Sequence, residues 1–172
     1  SFGGQEKEYE RYTAALCREI EAKSHLAKDW KIKTVFFGGG TPTVLSAQQM
    51  KRILDTVFRC FDVESDAEIT TEANPGTLSL EKCVDLRQMG FNRLSMGVQA
   101  WQDELLERLG RIHTRQQFLK NFASAREAGF DNINVDLMFA LPEQTLGQWE
   151  ETLSEITALQ PEHISAYSLI IE

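Results

Sequence analysis

Residues 35–43 read VFFGGGTPT, the most informative segment of the chain. The apolar and β-branched run at residues 34–37 predicts a short buried strand. Three consecutive glycines then end the strand, and Pro42 argues against a helix that starts at once. Backbone without side chains lets a ligand approach closely, so we interpret residues 38–40 as a binding loop rather than a plain tight turn. Its amide N–H groups suit a carboxylate or a phosphate.

Two common glycine-rich motifs do not describe this loop. A Walker loop is excluded because no Gly-Lys-Ser/Thr follows the glycines. A dinucleotide fingerprint is excluded because the glycines are contiguous and Pro42 occupies the place where the helix should open.

The composition is that of a globular protein and favours one domain over residues 1–172. Of the 172 residues, 42% are hydrophobic and 26% are charged. The net charge of −8 argues against nucleic acid or an anionic membrane as a general partner. No apolar run is long enough to span a bilayer, and residues 1–10 lack the apolar region of a signal peptide. These features predict a cytoplasmic location.

The cysteines and histidines do not form a metal-binding pattern. Cys17, Cys60 and Cys83 are far apart in the sequence and odd in number, which predicts neither a disulfide framework nor a metal site. The histidines are equally scattered, without a His-x-x-x-His pair.

Helical and strand patterns alternate along the chain. Strands are predicted at residues 32–37, 67–73, 92–99, 132–139 and 163–171. Helices are predicted at residues 6–28 and 101–109, and after the start signals at Ser46, Thr77 or Ser79, Thr114 and Thr145. This order is typical of an α/β fold with a parallel sheet. An open doubly wound sheet and part of a (β/α) barrel both fit the pattern, since five strands cannot close an eight-stranded barrel.

Polar residues occur where the predicted strands end. Glu72 ends the second strand, Gln99 ends the third, and Asp136 lies within the apolar fourth strand. The carboxyl ends of parallel strands are where such folds bind ligands, so we expect these residues and the glycine loop to share one site. Asp136 is the most informative, because a carboxylate among apolar residues must be paired or functional. Arg111 is a candidate partner for it.

This set of groups suits an amino-acid nucleoside. Bare amides suit a carboxylate, whereas carboxylates and a carboxamide suit ribose hydroxyls and an ammonium group. S-adenosylmethionine carries all of these groups, which makes it compatible with the predicted site without being the only choice.

Four motifs resemble those of a known family. Residues 38–43 (GGGTPT), 72–76 (EANPG), 93–99 (RLSMGVQ) and 135–138 (VDLM, followed by Leu141 and Pro142) are similar in type and order to radical S-adenosylmethionine enzymes. The closest resemblance is to the oxygen-independent coproporphyrinogen III oxidase-like group. Residues 109–113 (LGRIH) and 163–169 (HISAYSL) resemble the heme chaperone branch of that group more than the true oxidases.

The resemblance implies a partial (β/α)6 barrel, with parallel strands, outer helices and the first strand missing. S-adenosylmethionine would lie across the strand ends. Gly39, Gly40 and Thr41 match the glycine motif that contacts its methionyl amino end. The other matching positions, which line the site or pack on the ligand, are Glu72, Gln99, Arg111, Asp136 and Ile170.

The chain departs from the family in one large respect. The family's Cys-x-x-x-Cys-x-x-Cys loop, which binds a [4Fe–4S] cluster, does not occur in it. We therefore expect a fragment that lacks the cluster loop and the C-terminal domain, with cluster ligands outside this chain and no catalytic residue of its own. The strand at residues 34–37 would then have an open edge, which predicts a homo-oligomer.

Three functions remain open at this point. The resemblance implies a heme chaperone that binds heme and passes it to respiratory heme proteins, or an oxidase that uses a deoxyadenosyl radical on porphyrin propionates. A non-catalytic heme carrier is a second class. An ordinary metabolic α/β enzyme that binds a phosphate or a nucleotide is the third.

Overall fold

A computed structural model describes residues 2–169 of the chain, and side chains from residue 5 onward. In this part of the chain all sheet pairings are parallel, and the strands lie in the order of the sequence. The strands are β1 (Lys31–Phe37), β2 (Asp62–Ala73), β3 (Arg93–Gln99), β4 (Ile133–Phe139) and β5 (His163–Ser168).

Helices precede β1 and connect the strands. They are α1 (Phe2–Lys23), α2 (Ala47–Cys60), α3 (Leu80–Met89), α4 (Asp103–Arg108), α5 (Arg115–Glu127) and α6 (Leu146–Ala158). The predicted capping boxes are confirmed at Ser46, Thr114 and Thr145. Ser79 rather than Thr77 begins α3, because its hydroxyl accepts a hydrogen bond from the Lys82 N–H.

The strand order decides between the two predicted architectures. A doubly wound sheet reverses its strand order once, and helices then cover both faces. Here each strand pairs with the next one in the sequence, so the chain advances across the sheet in one direction. Because the connections between parallel strands are right-handed, the helices then lie on one face of the sheet. The result is the half-barrel expected of a partial (β/α) barrel with outer helices.

One face of the sheet packs against the helices and forms the main core. Its strand residues are fully or almost fully buried, for example Leu94, Met96, Val135 and Leu137. The alternate residues of the same strands point away from the helices, because side chains in a strand alternate between its two faces. That second face carries the polar groups described below.

Several predicted boundaries were wrong, each for a local reason. The first helix ends at Lys23 instead of continuing to residue 28, because Ser24–Ala27 tightens into a 3₁₀ turn. The fourth helix spans only Asp103–Arg108. Strand β2 begins at Asp62, five residues early, since its acidic first half pairs with the start of β1. Within the described residues strand β5 ends at Ser168, and the predicted end at residue 171 lies outside them.

Pro42 does not prevent helical structure. It occupies the first turn of a 3₁₀ helix, Pro42–Val44, where its missing N–H costs nothing. The glycine loop therefore leads directly into a short, rigid turn.

Candidate functional site

A cleft of about 350 Å³ lies at the carboxyl ends of the strands. Each strand or the loop after it contributes to its wall. The lining residues are Gly40, Thr41, Glu72, Ala73, Asn74, Ser95, Gly97, Gln99, Arg111, Asp136 and Tyr167.

The cleft brings together most of the residues that the sequence singles out. Six of them line it: Gly40, Thr41, Glu72, Gln99, Arg111 and Asp136. Gly39 is attached to the same wall, because its N–H donates a hydrogen bond to Glu72 Oε2 at 3.1 Å. Ile170 lies outside the described residues.

Two glycines of the loop have backbone φ angles that other residues adopt only with strain. Gly39 has φ +84° and Gly40 has φ +105°, in the region that favours glycine. A Cβ added to either glycine would meet no other atom within 4 Å, so the space beside the loop is open. An open, amide-rich turn of this kind can receive an anionic group such as a carboxylate.

Buried polar contacts hold the turn that follows the glycines. The Asn74 Nδ2 donates to Thr41 Oγ1 at 2.7 Å, which ties the turn to the end of β2. From α3, the Lys82 ammonium donates to the carbonyl oxygens of Thr43 and Leu45. Burial lowers the pKa of Lys82 below its ordinary value. Sequence reasoning missed Lys82, since nothing in its neighbourhood distinguishes it from a surface lysine.

Asp136 is held by neutral hydrogen-bond donors. Its Oδ1 accepts from Asn134 Nδ2 at 2.8 Å, and its Oδ2 accepts from the Ser95 hydroxyl at 3.3 Å. The predicted pairing with Arg111 was wrong: no ion pair within the described residues joins the two side chains, although both line the cleft. The reason is register, since Ser95, Asn134 and Asp136 lie side by side on one face of neighbouring strands.

The network around Asn134 continues into β5. Asn134 Oδ1 contacts His163 Nδ1 and accepts from the Ser165 hydroxyl at 3.1 Å. The sequence contained a signal for this residue: Asn134 is polar, lies in an apolar strand and precedes Asp136 by two positions, so both share a face. The hydrogen bonds keep the Asp136 carboxylate at a fixed place in the wall.

Gln99 occupies an irregular point of the sheet. The pairing of β3 with β4 skips Val98, so Gln99 lies in a β-bulge, with φ +73° and only 4% exposure. Its Oε1 accepts a hydrogen bond from the Tyr167 hydroxyl at 2.9 Å. Tyr167 was also missed, because a tyrosine in a strand is ordinarily a packing residue.

The charges of the cleft match a ligand with both signs. Glu72 and Asp136 supply two carboxylates, and Arg111 supplies one guanidinium. This balance suits a molecule with two positive groups and one negative group. S-adenosylmethionine has this distribution in its sulfonium, ammonium and carboxylate.

The cysteines do not contribute to the cleft. They lie on α1, α2 and α3, and Cys17 and Cys83 are buried. Burial raises the pKa of the Cys83 thiol to about 11. Among the described residues, no group of three or more His, Cys, Asp and Glu side chains could hold a metal ion.

No helix in the described range is both long and apolar enough to cross a membrane.

The half-barrel fold is that of one protein class. The chain belongs to the radical SAM superfamily, whose family model matches residues 3–156. Membership implies S-adenosylmethionine and a [4Fe–4S] cluster as cofactors. The predicted resemblance and the predicted fold class are thereby confirmed.

The chain is also similar to individual curated proteins. A heme chaperone HemW of Bacillus subtilis (strain 168) is 45% identical over 171 residues, which cover 98% of this chain and 45% of that protein. An oxygen-independent coproporphyrinogen III oxidase of Salmonella typhimurium is 34% identical over 164 residues, 95% of this chain and 36% of that protein.

A solved structure is also similar to this chain. The coproporphyrinogen III oxidase HemN from Escherichia coli, described as a radical SAM enzyme, matches with a TM-score of 0.89 and 33% identity. The match covers 96% of this chain and 38% of that one. The chain thus spans less than half the length of these relatives.

Proposed function

We propose that this chain forms the S-adenosylmethionine-binding core of a heme chaperone of the radical SAM superfamily. Residues 1–172 constitute one partial core domain. The observation that carries the proposal is the cleft: one glycine loop, two carboxylates, one guanidinium and one carboxamide meet at the carboxyl edge of a parallel half-barrel.

The residues of the cleft fit this ligand group by group. The amide of Gly40 and the Thr41 hydroxyl, which accepts from Asn74 and can still donate its own proton, receive the methionyl end. Gly39 lies beside them and holds the loop, because its N–H donates to Glu72. Arg111, Glu72 and Asp136 compensate the charges of the zwitterion and the sulfonium. Gln99 completes the wall, and the expected contribution of Ile170 lies outside the described residues. Bound beside a reduced cluster, S-adenosylmethionine supplies radical chemistry through its carbon–sulfur bond.

The cluster itself needs ligands from elsewhere. The described residues contain no suitable set, and the three cysteines lie on separate helices away from the cleft lining. We place the cluster ligands in the longer polypeptide, outside this chain. The part described here orients the nucleoside and keeps its polar groups away from water.

The preference for a chaperone rests on similarity. The identity of 45% to a heme chaperone exceeds the 34% to an oxidase over similar lengths. We therefore propose that the whole protein binds heme in the cytoplasm and passes it to respiratory heme proteins. An oxidase acting on coproporphyrinogen III is the alternative.

The first experiment tests ligand binding. We would express the full-length protein, reconstitute it anaerobically with iron and sulfide, and measure S-adenosylmethionine affinity by calorimetry. Asp136→Asn, which removes the charge and keeps the shape, should weaken binding about 10-fold or more, since a charged hydrogen bond is lost. Asp131→Asn, in the exposed loop before β4, is the matched control and should bind like the wild type. Equal affinity of all three proteins would refute the site.

A second experiment separates the functions. Heme binding is measured from the Soret band, S-adenosylmethionine cleavage from deoxyadenosine, and oxidase activity from the porphyrin products. A chaperone binds heme tightly and leaves coproporphyrinogen III unchanged. Turnover of coproporphyrinogen III would favour the oxidase instead.

We also propose that the 172-residue chain associates through β1. In the described sheet β1 pairs with β2 alone, and an apolar groove of about 640 Å³ lies between it, α1 and α2. Phe36 and Tyr12 at this groove are 58% and 57% exposed. Sedimentation should show a dimer that Phe36→Glu dissociates and that Leu146→Glu, on α6, leaves intact. A monomer at high concentration would contradict this proposal.

A further inference from the structure

Two side chains outside the sequence-predicted set hold Gln99. Tyr167 contacts its side chain, and His113 contacts the backbone immediately before it. We propose that Tyr167 and His113 are positioning residues, which fix Gln99 so that its Nε2 group faces the bound ligand. This inference rests on the proposed S-adenosylmethionine site and explains what fixes the position of Gln99 in the wall of that site.

The Tyr167 contact determines which end of the carboxamide is free. The phenol donates to Gln99 Oε1 at 2.9 Å, which occupies the acceptor end. The donor end, Nε2, has no hydrogen-bond partner within the described residues. It lies over bare backbone, since a Cβ added to Gly97 would be only 3.1 Å from it. The side chain can therefore offer two N–H donors to the cleft.

The His113 contact fixes the backbone of the bulge. The imidazole Nε2 lies 3.2 Å from the carbonyl oxygen of Val98 and must be its donor, because a carbonyl only accepts. His113 is 4% exposed, so the contact is shielded from water. It holds the skipped residue of the sheet, and thereby the unusual φ of Gln99.

The protonation states of both residues agree with these roles. Burial raises the pKa of the Tyr167 phenol, and Asp136 and Glu72 act in the same direction. The contact with Gln99 and the charge of Arg111 oppose this shift, and the pKa remains raised overall. The phenol therefore keeps its proton and remains a donor. Burial lowers the pKa of His113, which keeps the imidazole neutral near pH 7.

The arrangement predicts what Gln99 recognises. A carboxamide with its oxygen occupied donates only, so the facing atom of the ligand must be an acceptor, such as a hydroxyl oxygen, a carboxylate oxygen or a ring nitrogen. Without Tyr167 the carboxamide can rotate and present its oxygen to the same atom, which is repulsive. Gln99 should then lose most of its contribution to binding.

A double-mutant cycle in the full-length, anaerobically reconstituted protein tests this inference. S-adenosylmethionine affinity is measured by calorimetry for wild type, Tyr167→Phe, Gln99→Ala and the double variant. Tyr167→Phe should weaken binding about 3- to 10-fold, the value of one hydrogen bond. In the Gln99→Ala background the same substitution should have no effect, because Tyr167 acts through Gln99. Ser154→Ala, which also removes one hydroxyl group but from the exposed side of α6, is the control.

His113 is tested by rescue. His113→Gln retains a side-chain N–H donor and should keep affinity within about 3-fold of the wild type, whereas His113→Ala should weaken binding about 10-fold. Melting temperatures identify variants that fail to fold, and only folded variants are compared. Similar losses for the Gln and Ala variants would contradict the role of His113.

The outcomes distinguish this inference from the function on which it rests. If the wild type does not bind S-adenosylmethionine, the proposed function and the inference both fail. If Gln99→Ala weakens binding and Tyr167→Phe does not, the site stands and the positioning role is refuted. Additive losses in the double variant would also refute it, since they mean that Tyr167 acts independently of Gln99.

Discussion

The two faces of the same sheet differ in composition and in task. On the helix side Leu94, Met96, Val135 and Leu137 are completely buried. On the cleft side, residues one position away are polar or glycine: Ser95, Gly97, Asn134 and Asp136. Strands of parallel sheets are usually apolar on both faces, so the polar face needs an explanation.

Stability and ligand binding are therefore divided between alternate residues of the same strands. The helix side excludes water and supplies the free energy of folding. On the cleft side, Ser95, Asn134 and Asp136 satisfy one another in a local network of hydrogen bonds, which contribute little net stability and fix positions. Substitutions one residue apart should therefore fail in different ways, and four predictions test this.

The largest effect is expected on the helix side. Leu137→Ala leaves a cavity in a fully buried site and should lower the free energy of unfolding by about 2–5 kcal/mol. Urea denaturation of the purified chain measures it. Met138→Ala, at the half-buried next position, is the comparison and should cost less than half as much. Equal losses of unfolding free energy at both positions would contradict the proposed division of stability and binding between the two faces of the sheet.

Lys82 is a polar residue that supports the cleft from a helix. Lys82→Met keeps the apolar stem and removes both hydrogen bonds to the loop carbonyls, so it should cost about 1–3 kcal/mol. Faster amide hydrogen exchange at residues 41–46 would locate the loss. Lys51→Met removes an exposed ion pair with Asp55 and should cost no more than about 0.5 kcal/mol. If Lys82→Met also costs no more than about 0.5 kcal/mol, the loop does not depend on Lys82 for its stability.

Gly40 should matter through its backbone. Gly40→Ala forces a side chain into a left-handed conformation and should cost about 1–2 kcal/mol or deform the loop. S-adenosylmethionine affinity of the full-length protein should fall about 10-fold if the loop moves away from the ligand. Gly147→Ala, in the first turn of α6 at ordinary φ, should be neutral or slightly stabilising. Unchanged affinity of the Gly40 variant would exclude the loop from the site.

The smallest effect concerns pH. Burial lowers the pKa of His113, and Arg111 acts in the same direction. The hydrogen bond to the Val98 carbonyl and the charge of Asp103 oppose the shift, and the pKa remains lowered overall. Below about pH 6.5 the unfolded chain binds a proton at this residue more readily than the folded chain does. The free energy of unfolding therefore decreases as the pH is lowered. The slope contributed by this residue cannot exceed about 1.4 kcal/mol per pH unit. Between pH 7.5 and 5.5, His113→Gln should lose less stability in urea denaturation than the wild type; equal losses would contradict the buried neutral state.

The sequence predicted which residues meet at the carboxyl edge of the sheet better than it predicted the boundaries of the elements. Glu72, Gln99 and Asp136 were recognisable because each is polar at the end of an apolar strand, and strand ends meet at one edge. The start of β2 was not recognisable, because Asp62 and its acidic neighbours resemble a loop until β1 pairs with them. The pairing partner of Asp136 was wrong for a related reason: charge suggested Arg111, whereas register supplied Ser95 and Asn134.

The order of the elements, the capped helix starts and the glycine loop were predictable from the sequence, because these depend on residues within a few positions of one another. The sequence also identified the family, since motifs are read in order along the chain. Only the tertiary structure decided that the strands lie in sequence order, that Lys82 supports the loop, and that Tyr167 and His113 hold Gln99. These contacts join residues 15 to 68 positions apart, and their geometry follows from strand register and from a bulge at Val98, which no local pattern encodes.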